Sequence, residues 1–272
     1  QKEIPHLSQP PERPRQNPLV QMIGDAKEAF SNQSFRWLFF GVLIVFIMAG
    51  VNGALDLYML QYFWEFSGEE MLFLQIASIV GLLLGVFLTA PLHKLTSKRF
   101  GVLLGTGAWA IFQLIPVVFR LLDWFPENGT TVLTYTLVVM KFFQGLILQQ
   151  AFISFGSMMA DITDEHEYQS GVRQEGIFFG AIAFSSKATS GFGNFVGGIG
   201  LDIISWPRGA DIKTAADIPA DTLVNLGLLY GPVVAAFAVI SLWCYSHYKL
   251  TRQRHEEILK ELRLRRERGS ST

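Results

Sequence analysis

GIFFGAIAFSSKATSGFGNFVGGIGLDII, residues 176–204, is an apolar run of membrane length with one lysine, Lys187, near its middle. A helix rises 1.5 Å per residue, so Lys187 lies roughly 17 Å from the start of the run, close to the midplane of a bilayer. An ammonium at that depth costs at least ~2.5–3.5 kcal/mol unless it faces a water-filled cavity or a partner. Intramembrane charges of this kind mark a transport path or a structural ion pair. Ser185, Ser186, Thr189 and Ser190 make this part of the helix polar and favour a water-accessible face. A fixed ion pair, or a lysine neutralised by burial, is the structural alternative.

The rest of the chain agrees with a membrane setting. Half of its 272 residues are hydrophobic, 17% are charged, and Phe alone supplies 23. Six long apolar segments stand out, at about 37–63, 71–92, 100–122, 131–159, 175–204 and 223–248. Each reaches the roughly 20 residues that a span requires, and in lipid uninterrupted runs of this length must be helical to satisfy their own backbone. None carries the polar opposite face of a soluble amphipathic helix. The expected fold is an all-α polytopic membrane protein with six transmembrane helices. The lone Cys244 excludes an intramolecular disulfide and reads as a small packing residue.

Orientation follows from the basic residues. With the N-terminal segment cytoplasmic, six spans return the C-terminus to the same side. The cytoplasmic pieces then hold 17 of the 22 Lys and Arg residues. The opposite loops hold only Arg120, Arg208 and Lys213, and Lys141 and Lys187 fall within spans. That asymmetry is what the positive-inside rule expects, and a net charge of -1 conceals it. Three parts result: a linker with a short surface helix over 1–36, a six-helix bundle over 37–248, and a basic cytoplasmic tail over 249–272. The polar, proline-rich start lacks the apolar core of a secretory signal. The first span is therefore expected to be an internal helix of something longer.

The most specific text is SMMADITDEHEYQSGVRQEG, residues 157–176, between the fourth and fifth spans. Asp161, Asp164, Glu165 and Glu167 meet Arg173 and Glu175 across a tight turn at Ser170–Gly171. This resembles the loop of the glycoside–pentoside–hexuronide cation symporters, the melibiose-carrier branch of the major facilitator superfamily. Asp161, Asp164, Gly171, Arg173 and Glu175 match that family's pattern one by one. Lys187, 12 residues beyond Glu175, matches the helix-eleven lysine of its central cavity. The resemblance is specific over about 157–200 and rests on hydropathy elsewhere.

The resemblance implies the C-terminal half of a twelve-helix carrier, built from two inverted three-helix repeats, with the substrate site near the midplane between halves. It implies membrane lipids, a small-molecule solute and an N-terminal six-helix half as partners, with no nucleic acid. No cofactor is expected beyond a coupling ion, Na+ or H+. The family's main cation- and sugar-binding carboxylates lie in the other half, so coupling and solute identity do not carry over. Lys187, Asp56, Asn52 and Gln149 are the candidates for the cavity. Asp161, Asp164, Arg173 and Glu175 are the candidates for a cytoplasmic gate, since pairs formed in one state and broken in another bias a two-state equilibrium. A plain solvated turn is the competing reading of the same charges.

Asn52 and Asp56 lie four residues apart on one face of the first span. Lys141 reads as snorkelling to the interface, Gln113 as packing, and Gln144, Gln149 and Gln150 as unable all to face one direction. Gly191, Gly193 and Gly197 let the fifth span approach its neighbours, and Gly81 and Gly85 do so in the second. Pro91, Pro116 and Pro232 kink or end their helices. The basic tail from Thr251 to Arg268 is helical, lying on lipid heads or in solvent. A lysophospholipid-type carrier of the same superfamily is one alternative. Another is an intramembrane enzyme holding Mg²⁺ on Asp161 and Asp164, which would need a second acidic cluster that the chain lacks. No catalytic constellation or metal-ligand set is otherwise present, so a non-enzymatic transporter at the plasma membrane, with both termini cytoplasmic, is the expectation.

Overall fold

Residues 24, 27, 29–171, 173, 175–207, 209, 212 and 214–270 are described by the computed structural model, without the side chains of residues 190 and 268–270. Most of the expected linker and surface helix over 1–36 lies outside these residues, as do Arg208 and Lys213. The described residues are overwhelmingly helical, and no strand occurs among them. The long helices are α1 (Gln33–Phe63), α2 (Gly68–Leu95), α3 (Lys98–Leu121), α4 (Thr131–Ser170), α5 (Glu175–Ile203), α6 (Ala220–Ser246) and α7 (Arg252–Ser270). Five of them, α1 to α4 and α6, are long and apolar enough to cross a bilayer. Helix α5 has 29 residues and carries Lys187.

Local chemistry sets the helix starts. The Asn32 side chain accepts from Phe35 N at 2.9 Å and opens α1. Ser67 and Glu70 form a reciprocal capping box on α2, and Ser97 and Thr130 cap α3 and α4. Each satisfies an amide that the first turn leaves without a partner. Helix α4 ends on Gly171 at φ 75°, a left-handed position at which glycine avoids the Cβ penalty. The turn is where the sequence places it, but the helix before it is longer than the apolar run. Residues 157–170, expected as connecting loop, form its last turns, because no Gly or Pro interrupts them after Gly156 and Thr163 bonds back to Met159 O. Helices α1 and α6 each contain a π-type turn, Met59–Phe63 and Leu229–Val233, the second around Pro232.

Helix α4 packs against α2 and α3, α1 packs against α5 and α6, and α3 packs against α6. Two contacts bring backbones together. A Cβ on Gly81 or Gly145 would overlap the carbonyl of Phe142 or Ser78, so glycine is what lets α2 and α4 touch. A Cβ on Gly193 would meet Gly50 Cα at 2.6 Å where α5 crosses α1. The outside of the bundle is apolar, with Leu83, Phe87, Phe184 and Val239 largely exposed. So continuous an apolar exterior is the mark of a surface meant for lipid or another chain. Helix α7 is docked rather than free: Ile258 and Leu262 are buried in one core cluster with Phe35, Met158 and Ile162.

Candidate functional site

Three polar features are built on this frame. The first is a charge cluster where α2, α4 and α6 end. Lys98, at the start of α3, donates to Asp161 at 2.7 and 2.8 Å. His255 of α7 stands 3.0 Å from Asp164 and 3.5 Å from Asp161. Arg173 pairs with Asp164 at 2.8 Å, Glu167 at 3.1 Å and Glu175 at 3.4 Å. Burial lowers the pKa of its guanidinium, but the hydrogen bonds it donates to Asp164 and Glu167, with the nearby carboxylate charges, outweigh this and hold it above its ordinary value. Arg266 reaches Glu167 at 2.7 Å, and Asn32 donates to Glu165 at 3.0 Å.

The four expected gate residues are therefore neighbours, with one correction: Asp161 pairs with Lys98, not Arg173. Helical spacing places Asp161 and Asp164 side by side, while the cations come from three different segments. Lys98, His255 and Asn32 were not singled out by sequence. Only the basic character of the α2–α3 turn and of the tail hinted at them. Both aspartates, the candidate Mg²⁺ ligands of the enzyme alternative, already face cations.

The second feature runs through the bundle. Gln113 of α3 donates to Asn52 of α1 at 2.7 Å and accepts from Gln144 of α4 at 3.2 Å. The Tyr230 hydroxyl, inside the π turn of α6, donates to Asp56. Asp56 and Lys141 line one cavity of about 140 Å³ with Gln75 and Ser78. Lys141 is half-buried in the wall of this cavity, and Gln113 links three helices rather than merely filling space. Gln149 is only half-buried, its Cβ beside Gly85 where α2 and α4 touch, while Gln150 donates to Gly85 O at 2.7 Å. Neither joins the Asp56 cavity. Tyr230 was missed; the adjoining Gly231–Pro232 was the one signal of irregular helix there.

The third feature is α5, which presents two stripes. Phe178, Ile182, Ser185, Thr189, Gly193 and Gly197 are buried, the last two against α1. Gly180, Phe184, Lys187, Gly191, Asn194 and Gly198 are exposed along the opposite side. Ser185 donates to Ala181 O at 2.8 Å and Thr189 to Ser185 O. These hydroxyls, expected to make a wet face beside Lys187, are turned away from it. Gly193 and Gly197 are close-packing glycines, whereas a Cβ on Gly191 would meet open space. Lys187 itself is exposed.

An all-helical bundle with a membrane-compatible exterior, internal polar contacts and a charged end defines a polytopic membrane protein. The chain belongs to the MFS/sugar transport protein family, whose model matches residues 1–252. It is similar to an uncharacterized symporter, YjmB, of Bacillus subtilis, with 28% identity over 75% of this chain and 42% of that protein. It is 22% identical to the uncharacterized symporter sll1374 of Synechocystis over 92% of this chain and 44% of that protein. It is 26% identical to an isoprimeverose transporter of Lactiplantibacillus pentosus over 70% of this chain and 37% of that protein. The chain thus spans less than half the length of these relatives.

Proposed function

We propose that the chain is the C-terminal half of a twelve-helix carrier performing cation-coupled symport of a small organic solute, a glycoside or pentoside, by alternating access. The observation that carries this reading is the uncovered stripe of α5. A lysine at mid-helix, flanked by glycines and an asparagine and exposed on this chain, is a costly feature on a lipid-facing surface. It is an economical one on the wall of a cavity shared with a second six-helix half. In this reading α5 is the fifth of six spans. Exchanging α1–α3 with α4–α6 maps the helix-neighbour pattern onto itself, which supports two three-helix repeats.

Asp161, Asp164, Arg173 and Glu175, with Lys98 and His255, form the cytoplasmic gate that closes in one access state. The Asn52–Gln113–Gln144 chain between α1, α3 and α4 and the Asp56–Lys141 cavity between α1, α2 and α4 form a polar interior. The relative named for isoprimeverose suggests the solute panel: isoprimeverose, other xylosides and simple glycosides, each offered with Na+ or H+ gradients. Uptake into cells expressing the intact protein tests the cavity role. Lys187→Ala is expected to abolish coupled uptake with membrane insertion unchanged, and Lys187→Arg to retain part of it. Undiminished uptake by Lys187→Ala refutes a cavity role for the lysine.

A further inference from the structure

Beside the charge cluster, a pocket of about 550 Å³ opens between the end of α2, the α2–α3 turn, α4 and the α6–α7 connection. Its walls come entirely from this chain and carry Lys94, Lys98, Arg99, Lys249 and Arg252. Two of these cations are neutralised within the wall, Lys98 by Asp161 at 2.7 Å and Arg252 by Glu256 at 3.0 Å. Arg99 is turned onto the carbonyl of Ser246. Lys94 and Lys249 have no carboxylate partner among the described residues. A concave site with surplus cations concentrates anions.

A buried tyrosine backs the same wall. Tyr248, which lines the pocket, is 3% exposed, and its hydroxyl has no hydrogen-bond partner among the described residues. A buried hydroxyl without a partner costs about 1–3 kcal/mol. Burial, with Asp161 and Glu165 nearby, holds this phenol above its ordinary pKa, so it is a donor at any physiological pH.

Depth narrows the class of ligand. Helix α2 has 28 residues, so it is about 42 Å long against a hydrocarbon core of about 30 Å. Its Lys94 end therefore emerges at headgroup level. Trp37 stacks on His247 at 4.6 Å and Trp243 packs edge-on against Trp37 at 5.3 Å, a tryptophan cluster of the kind that marks the membrane interface.

We propose that this pocket binds a phosphate group at the membrane interface, with Lys94 and Lys249 neutralising the charge. The phosphate belongs either to an anionic phospholipid headgroup or to a soluble phosphate ester. The site is distinct from the solute path, and it needs only the membrane placement of the bundle.

The test is native mass spectrometry of the intact protein in a neutral detergent, titrated separately with phosphatidylglycerol, phosphatidylcholine and glycerol 3-phosphate. Saturable phosphatidylglycerol binding, tighter than phosphatidylcholine and roughly 30-fold weaker in Lys94→Gln/Lys249→Gln, establishes the site as a lipid site. Glycerol 3-phosphate binding with the same loss in the double variant, and no preference between the lipids, establishes a soluble ligand. The proposal is overturned by the absence of phosphate binding of either kind, or by equal affinity in the double variant.

Discussion

Lys98 and Arg173 hold adjacent carboxylates on α4, but the two pairs sit in different surroundings. The Asp161 side chain is 11% exposed, and with Lys98 removed its one remaining cationic neighbour among the described residues is His255, at 3.5 Å. Asp164 keeps His255 at 3.0 Å when Arg173 is lost, and Arg173 itself is 44% exposed. Lys98→Met is therefore expected to cost about 1–3 kcal/mol, the cost of leaving a largely buried charge under-partnered. Arg173→Ala is expected to stay within about 1 kcal/mol, as exposed pairs do. Thermal unfolding of the two variants in one detergent checks the ranking, and an equal or greater loss in Arg173→Ala contradicts it. Sequence could place Asp161 beside Asp164 because helical spacing is local. It could not assign their cations, because Lys98 and His255 lie 63 and 91 positions away from the carboxylates they meet. The same distance hid Tyr230, whose partner Asp56 is 174 positions away.

Among the elements, the spans were legible because apolar length is a strong signal and lipid forbids the alternatives. The end of α4 was not, because acidic, polar text resembles a loop; only the absence of a breaker before Gly171 favours helix there. The π turn at Met59–Phe63 has no sequence signal at all, since it inserts one residue into an otherwise ordinary apolar helix. Glycine spacing was informative about close approach but silent about direction. Gly145 touches the α2 backbone, whereas Gly191 on α5 faces open space. Gly145→Val should consequently part α2 from α4 and destabilise the bundle by about 1–3 kcal/mol or more, read as loss of monodisperse protein on size exclusion. Gly191→Ala should leave folding and monodispersity unchanged, and loss of both in that variant contradicts the two-stripe account of α5.

The whole molecule presents a larger uncovered surface than its own packing explains. Helix α2 buries little beyond Leu74, Gly81, Gly85 and Thr89, and α5 leaves the Lys187 stripe open. One part of that exterior faces lipid; the part bearing Lys187 is proposed to face a second six-helix half. The relatives are more than twice as long as the region they share with this chain, which leaves room for such a half. Site-directed thiol labelling separates the two kinds of surface, because a cysteine reacts with a water-soluble maleimide as the thiolate, which lipid suppresses. Cys244, the one native cysteine of this chain, is buried and gives a low background. The decisive measurement compares Lys187→Cys with Val239→Cys, an exposed apolar position on α6, in the intact protein in membranes. The account predicts rapid labelling at position 187, slowed by a transported solute, and little at position 239. Equal, slow labelling at both places Lys187 against lipid and contradicts a cavity between two halves.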